Sequence, residues 1–218
     1  MDTLEFDDDT VLRWAPPDSL ADREAEAIAL LSVDERTRFA TTVSEHARSR
    51  LLWGRLLLRE LVAERSGVSA AEVTIMALCP DCGGAHGRPI TTGPNDASRA
   101  LSVSVSGCAG MVVVATSHGR RIGIDIEPAT GSTDRLLAIQ RIAGETEDPL
   151  RHWTRVEAVL KADGRGLRMD PQLVEVDGDL AELDGVQYRL IEPDIDPRFV
   201  VSVALASAPR SGRVAERE

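Results

Sequence analysis

Apolar residues recur along this chain with two periods, one near 3.6 and one of 2, and together they mark out most of its elements. Over residues 44–65, Leu51, Leu58, Leu61 and Val62 share one stripe, which predicts a long helix stopped by Gly67. Trp153, Val156 and Leu160 repeat that spacing within a second helix over 149–162, and 134–143 also has a helical pattern. Ser32-Val33-Asp34-Glu35 is a capping box that begins a helix carrying Arg36, Arg38 and Phe39. Ser69-Ala70-Ala71-Glu72 repeats the box ahead of a strand over 73–78. Further strands are predicted at 11–14, closed by Pro16-Pro17, and at 100–106, 111–117, 121–127, 173–176, 186–191 and 199–206. The Gly-, Pro- and Asp-rich stretch 79–96 reads as a loop. Residues 1–9 and 208–218 read as flexible tails.

Helices followed by a small antiparallel sheet occur twice. The order of elements therefore predicts an α+β fold, a pseudo-dimer of two similar halves over 10–117 and 120–207 that meet near His118-Gly119-Arg120. A chain of 218 residues with 43% apolar content can bury such a core without disulfides, and three cysteines suit a reducing compartment. No apolar run approaches the roughly 20 residues that span a bilayer. The acidic start, Met1 to Asp9, is unlike a signal peptide, so the expected location is the cytoplasm, with no membrane partner. A formal net charge of −11 argues against nucleic acid as a partner. It leaves room for a phosphorylated small molecule held by a few basic side chains in one cleft.

Two segments carry candidate chemistry. In Gly123-Ile124-Asp125-Ile126-Glu127-Pro128 the isoleucines share one strand face, and Gly123, Asp125 and Glu127 share the other. Two carboxylates so placed form a hard oxygen pair suited to Mg²⁺, although the same pattern describes a half-buried strand with a wet polar face. In Trp153-Thr154-Arg155-Val156-Glu157-Ala158-Val159-Leu160-Lys161, Glu157 and Lys161 are neighbours four apart. An ordinary exposed helix pair of that kind contributes only about 0.3–0.5 kcal/mol. The helix stops at Gly164-Arg165-Gly166-Leu167, where two glycines let the backbone lie close to something else.

Taken in order, Gly-Ile-Asp-Ile-Glu, then Trp-x-x-x-Glu-Ala-x-x-Lys, then Gly-x-Gly-Leu resembles the 4'-phosphopantetheinyl transferases, of the type that activates surfactin synthetase. The resemblance runs from about Leu31 to Ala206 and includes Gly87-Arg88-Pro89, the Cys79–His86 loop of many actinobacterial members, and Arg50, Gly54 and Arg59 on the long helix. It implies a monomeric pseudo-dimer with coenzyme A in the cleft between halves. It also implies a reaction of the holo-acyl-carrier-protein synthase kind, in which the 4'-phosphopantetheine arm moves to a serine of an acyl or peptidyl carrier protein and 3',5'-ADP is released. By residue, it implies Asp125, Glu127 and Glu157 as Mg²⁺ ligands, and Asp125, Glu157 and Lys161 as the catalytic group. Lys161 on the pyrophosphate, Arg50 and Arg88 on the 3'-phosphate and adenine end, and Gly87, Pro89 and Ser104 complete the coenzyme A site. Whether Glu157 serves as ligand, base or both stays open, as does the carrier served.

One departure stands out. Where the family has Ser-His-Ser, this chain has Ser104-Val105-Ser106, and the usual asparagine two residues before the first serine is Ser102. Losing a hydrogen bond from the histidine to a coenzyme A phosphate would cost about 1.5–3 kcal/mol, tenfold to a hundredfold in affinity or rate. That loss makes a non-catalytic coenzyme A or carrier-binding protein the alternative. Cys79, Cys82, His86 and Cys108 have the ligand types of a zinc site. Cys108 has no knuckle partner, however, and the resemblance accounts for the loop without a metal, so structural zinc is set aside. Trp14 and Trp53 read as core residues, and His46, His118 and His152 as ordinary surface or interface histidines.

Overall fold

The computed structural model describes residues 1–207, so the tail expected over 208–218 lies outside the described residues. The chain opens with β1 (Asp2–Asp7) and β2 (Thr10–Ala15), followed by helices α1 (Glu24–Leu30), α2 (Val33–Thr41) and α3 (Glu45–Ser66). The short strands β3 (Thr74–Met76) and β4 (Ile90–Thr92), helix α4 (Asp96–Ala100) and the hairpin β5 (Leu101–Cys108) and β6 (Met111–His118) come next. After the turn at Gly119 the order is β7 (Ile122–Pro128), α5 (Thr133–Ala143), α6 (Pro149–Asp163), β8 (Glu175–Asp177), β9 (Leu180–Leu183), β10 (Val186–Ile191) and β11 (Phe199–Ala206).

The strands form an antiparallel sheet in the order β1-β2-β6-β5, another in the order β7-β11-β10-β9-β8, and the pair β3-β4. In each large sheet a strand that precedes the helices (β2, β7) pairs with one that follows them (β6, β11). The fold is α+β, with four layers. Helix α3 covers one face of the first sheet through Leu56, Leu57, Leu61, Val103 and Val114. Helix α6 covers one face of the second through Val156, Val159, Leu160, Tyr188 and Ala204. The two remaining faces pack on each other, with Leu12, Val113 and Ala115 against Ile122, Ile124, Ile126, Val203 and Leu205. The isoleucine face of β7 is thus a sheet-to-sheet core, which leaves Gly123, Asp125 and Glu127 toward α6.

The caps act as the sequence pattern predicts. The Ser32–Glu35 box is formed in both directions at α2. Ser44 accepts from Ala47 N–H at α3, and Gly67 ends that helix at φ +68°. Glu35 is buried between Arg55 and Arg59, at 2.7 and 2.5 Å, and this ion triad locks α2 to α3.

Several elements differ from the sequence pattern. Residues 1–9 are not a free tail, because Asp2–Asp7 pairs along β2. Leu4 and Phe6, two apart, pack on the inter-sheet core, and Arg120 binds Asp7 at 2.6 Å. The acidic residues around those two apolar ones hid an alternation only two positions long. The loop over 79–96 contains β4, while β9, α1 and α4 are elements of four to seven residues that composition did not mark. No helix among the described residues is long and apolar enough to cross a membrane. Trp53 is in the core and Trp14 is half-buried against the inter-sheet core. His46 and His118 are exposed, and His152 Nε2 lies 3.2 Å from Ala143 O.

Helix α6 is clamped to its sheet at one point by charge. Glu192, just past β10, takes hydrogen bonds from Arg151 Nε at 2.9 Å and Arg155 Nε at 2.6 Å. Partial burial alone would raise the Glu192 pKa, but the bonds from Arg151 and then Arg155 outweigh it and hold the carboxyl at about 2. A depressed folded-state pKa contributes stability above the unfolded value of about 4.3, and that contribution disappears as pH falls toward about 2. Glu192→Gln should therefore destabilise the protein by about 1 kcal/mol near neutral pH, after allowance for solvent screening of a half-open pair. In urea unfolding the gap from the parent should close as pH drops below about 4. A gap that does not change with pH would remove charge from this clamp.

Candidate functional site

The site begins with a missing side chain. A Cβ at Gly123 would run into the carbonyl oxygen of Ala158 and the amide of Ala162. Bare strand backbone therefore lies directly on α6, on the side where that helix carries alanines. Helix positions 157 and 161 flank this contact, and strand positions 125 and 127 run on from it. The local pattern thus brings the two motifs of the sequence onto one wall.

Lys161 Nζ lies 2.6 Å from Asp125 Oδ1 and donates to Ser106 Oγ at 3.0 Å, and Ser106 Oγ donates to the same Asp125 oxygen at 2.8 Å. Lys161 stands 4.0 Å from Glu157. Glu127 is held by Arg135 of α5. Asp125 is 5% exposed, and its second oxygen, Oδ2, is buried without a hydrogen-bond partner. Burial raises the Glu157 pKa; Lys161 opposes this, and Asp125 and Glu127 add to it. An uncompensated buried carboxylate oxygen, and a carboxylate pushed toward protonation by burial with two other carboxylates adding to it, are what a wall built to take up further positive charge presents.

Asp125, Glu127, Glu157 and Lys161 line a cavity of about 1200 Å³ together with Arg50, Gly87, Arg88, Pro89 and Ser104. The cavity draws on both large sheets, α3, α6 and the loop after β3. Its walls carry seven cations (Arg38, Arg50, Arg55, Arg88, Arg165, Arg168 and Lys161) against four carboxylates (Asp81, Asp125, Glu127 and Glu157). In a protein with a net charge of −11, that local excess marks a place for an anion. Like charges are crowded there. Desolvation, and then Arg50, lower the pKa of Arg38; desolvation, and then Arg121, lower that of Arg88. Arg88 Nη2 donates to Ser102 Oγ at 3.2 Å and its stem lies over Gly164, where a Cβ would meet Arg88 Nη1 at 2.8 Å. That contact is what the Gly164 turn, at φ +96°, makes room for. Gly87 is likewise required, because a Cβ there would strike the Leu78 carbonyl.

Other expected residues have different surroundings. Arg50 is exposed, with Nη1 3.4 Å from Gly107 O. Arg59 is in the ion triad with Glu35, and Gly54 lets α3 lie on Val105, where a Cβ would come within 2.9 Å of Val105 Cγ2. Val105 itself lines the cavity. Ser104, though it also lines the cavity, is buried and its hydroxyl accepts from Ile124 N–H at 3.0 Å; Ser102 does the same for Ile122 N–H at 3.1 Å. The three carboxylates share the cavity but are not gathered at one point. Among the described residues, the group of three cysteine, histidine or acidic side chains whose ligand atoms all lie within 4.8 Å of one another is Cys79, Cys82 and His86. Asp125 and Glu127 are instead turned onto Lys161 and Arg135. The donor set still has the hard-oxygen chemistry that Mg²⁺ takes, with one buried oxygen to spare. Sequence reasoning missed Ser106, Arg38 and Arg135. The period-2 run Ser102, Ser104, Ser106 was the signal for the first of them.

Fold and cavity together describe an α+β protein whose cavity is lined by carboxylates and a larger number of cations. No family model matches the chain. The chain is 27% identical, over 241 aligned positions covering 95% of it and 80% of the other protein, to a curated protein from Thraustochytrium sp. named phosphopantetheinyl transferase. That similarity supports the phosphopantetheinyl transferase superfamily, and with it a transferase of this general kind.

If the bare-backbone contact sets the site, Gly123→Ala must push α6 outward. The expected cost is about 1–3 kcal/mol in urea unfolding, as for overpacking elsewhere. A variant as stable as the parent would show that α6 does not depend on this approach.

Proposed function

We propose that this chain moves the 4'-phosphopantetheine group of coenzyme A onto a serine of an apo acyl or peptidyl carrier protein, with Mg²⁺ as cofactor and 3',5'-ADP as the second product. The supporting observation is the strand-and-helix wall of Asp125, Glu127, Glu157 and Lys161 in a cavity that Arg50 and Arg88 also line. Asp125, Glu127 and Glu157 would hold Mg²⁺, which when bound supplies electrophilic charge to the pyrophosphate. Arg50 and Arg88 engage the 3'-phosphate end, where the guanidinium fork matches phosphate oxygens. Lys161 neutralises charge growing on the pyrophosphate. The carrier serine oxygen forms a bond to the β-phosphorus as the bridging bond to the α-phosphate breaks, and 3',5'-ADP departs with that electron pair. Glu157, whose pKa is raised by burial, takes the serine proton. Positioning and charge thus do most of the work, as in phosphoryl transfer generally. The matching order of elements around the two sheets agrees with a duplicated pair of halves, and the cavity drawn from both agrees with a cleft between them.

A second reading, a coenzyme A or carrier-binding protein without turnover, draws on Val105, an apolar residue in the cavity wall where the resembling enzymes have a histidine. Incubation of apo carrier proteins of several pathways with coenzyme A and Mg²⁺, followed by intact mass, distinguishes the two. The phosphopantetheine mass gain is expected on at least one carrier. Coenzyme A binding with no gain on any of them would favour the second reading, and release of 3',5'-ADP without a carrier would mean hydrolysis. Asp125→Ala should slow transfer by about 100-fold or more, the scale of removing one electrostatic anchor. Val105→His should tighten coenzyme A binding about tenfold in calorimetry, one charge-assisted hydrogen bond. An unchanged affinity would mean that position 105 does not face the phosphates.

A further inference from the structure

We infer that Cys79, Cys82 and His86, on the loop between β3 and β4, form a binding site for a soft divalent cation of the zinc type. Cys79 and His86 line the same cavity as the carboxylate wall but are a different group of ligands, and the site's existence does not depend on the transferase reading.

The loop is built to hold these three groups together. Cys79 N–H donates to Gly84 O and Gly83 N–H donates back to Cys79 O, each at 2.8 Å. His86 N–H donates to Gly84 O at 2.9 Å, and Gly87 N–H closes the base on Ala77 O at 2.5 Å. Gly83, at φ +70°, takes the one conformation in this turn that a side chain would resist. The closure sets Cys82 Sγ 3.0 Å from His86 Nε2 and keeps the three ligand atoms within 4.8 Å of one another. A tetrahedral zinc ion, at about 2.3 Å from sulfur and about 2.0–2.1 Å from nitrogen, needs its ligand atoms ~3.6–3.8 Å apart. The 3.0 Å Cys82–His86 pair and the 4.8 Å limit for the group bracket that spacing.

The electrostatics agree with thiolate ligands. Gly84 N–H donates to Cys82 Sγ at 3.4 Å. N–H groups aimed at sulfur stabilise the deprotonated form that a metal requires, and binding releases the thiol protons to solvent. Two sulfurs and an imidazole select a soft or borderline ion over Mg²⁺. Cys82 and His86 are exposed, so an ion can enter and water can complete the coordination. The fourth residue with ligand chemistry in the sequence, Cys108, is not part of this group: it is buried in the inter-sheet core, and its thiol is pushed up to about 12 by burial, with Glu127 and Asp125 adding to the effect. The loop also bears on the cavity. Arg38 Nη1 donates to Ala85 O at 2.6 Å, and Arg88 follows two residues after His86. An ion here would brace the stretch of wall that presents both arginines.

Cobalt reports such a site without any assay of activity. The full chain, reduced and freed of metal, is titrated anaerobically with Co²⁺. The expected spectrum has tetrahedral d–d bands and a thiolate-to-cobalt charge-transfer band, saturating at a single equivalent and erased by Zn²⁺. Cys82→Ser and His86→Asn, both at exposed positions, should lose or shift these bands while far-ultraviolet circular dichroism stays that of the parent, and Cys108→Ser should keep them. Absence of the bands in the parent, or bands that survive Cys82→Ser but vanish in Cys108→Ser, would overturn the site. A Cys79–Cys82 disulfide in the isolated chain, with no cobalt uptake after its reduction, would overturn it equally, leaving a redox pair instead.

Discussion

The contact of bare β7 backbone with α6 is the constraint on which the rest of the site depends. At Gly123 the strand has no side chain and the helix answers with Ala158 and Ala162, so the two elements sit closer than any larger pair would permit. Two periodicities then share one origin. Strand residues two apart, Asp125 and Glu127, and helix residues four apart, Glu157 and Lys161, converge because both are counted from the same contact. With a larger residue at 123 the helix would stand off, and the 2.6 Å pairing of Lys161 with Asp125 would be stretched. The Asp148 cap and the Glu192 clamp hold the start of α6 in place, and the Gly164 turn ends it where Arg88 needs room.

A second constraint joins the sheets. Strands β5 and β7 are each at the edge of a large sheet, and an unpaired edge is a liability. Here they are bridged by side chains in place of a backbone ladder. Ser102 and Ser104 accept from the N–H groups of Ile122 and Ile124, and Ser106 continues the row into the Asp125–Lys161 pair. One face of one strand thus changes gradually from structure to site. Below it the isoleucines of β7 pack on Leu12, Val113 and Ala115, so the carboxylates stand on a core that cannot easily yield.

Much of this was legible in the sequence, and what was not has physical reasons. The long helices announced themselves by period and caps, since Ser32, Ser44, Gly67 and Gly164 act locally. The faces of β7 followed from alternation alone. The strand at 2–7 did not, because its signal is two apolar residues among acids and its stability comes from pairing with β2, which no local pattern encodes. The serine row of β5 was visible as Ser-x-Ser-x-Ser, but its use depends on which strand lies beside it. The pairing of Glu127 with Arg135 and the role of Arg38 at the Cys79–His86 loop rest on contacts across a helix and a loop that spacing cannot reveal. Spacing alone did not single out Cys79, Cys82 and His86 as a group, because the further cysteine of the chain, Cys108, is sent by the fold to another core.

The two sides of the cavity differ in what change they can absorb, and this accounts for where the sequence departs from the pattern it resembles. On the acid side Asp125 is buried, and Glu127, Glu157 and Lys161 are half-buried beside other charges. Removing Lys161 would strand the buried Asp125 carboxylate, and an orphaned buried charge of this sort costs about 3–5 kcal/mol. Structure as well as chemistry therefore holds those residues. On the opposite side Val105 packs on Gly54 and the apolar cluster under α3, where a valine fills space at no electrostatic cost. Ser102 likewise has a structural task, as acceptor for Ile122 N–H and for Arg88, that a hydroxyl performs without an amide. A departure at 102 and 105 can thus be folded without strain, whereas one at 161 would leave the buried Asp125 charge uncompensated. The ligand contacts that differ are those the fold itself does not need.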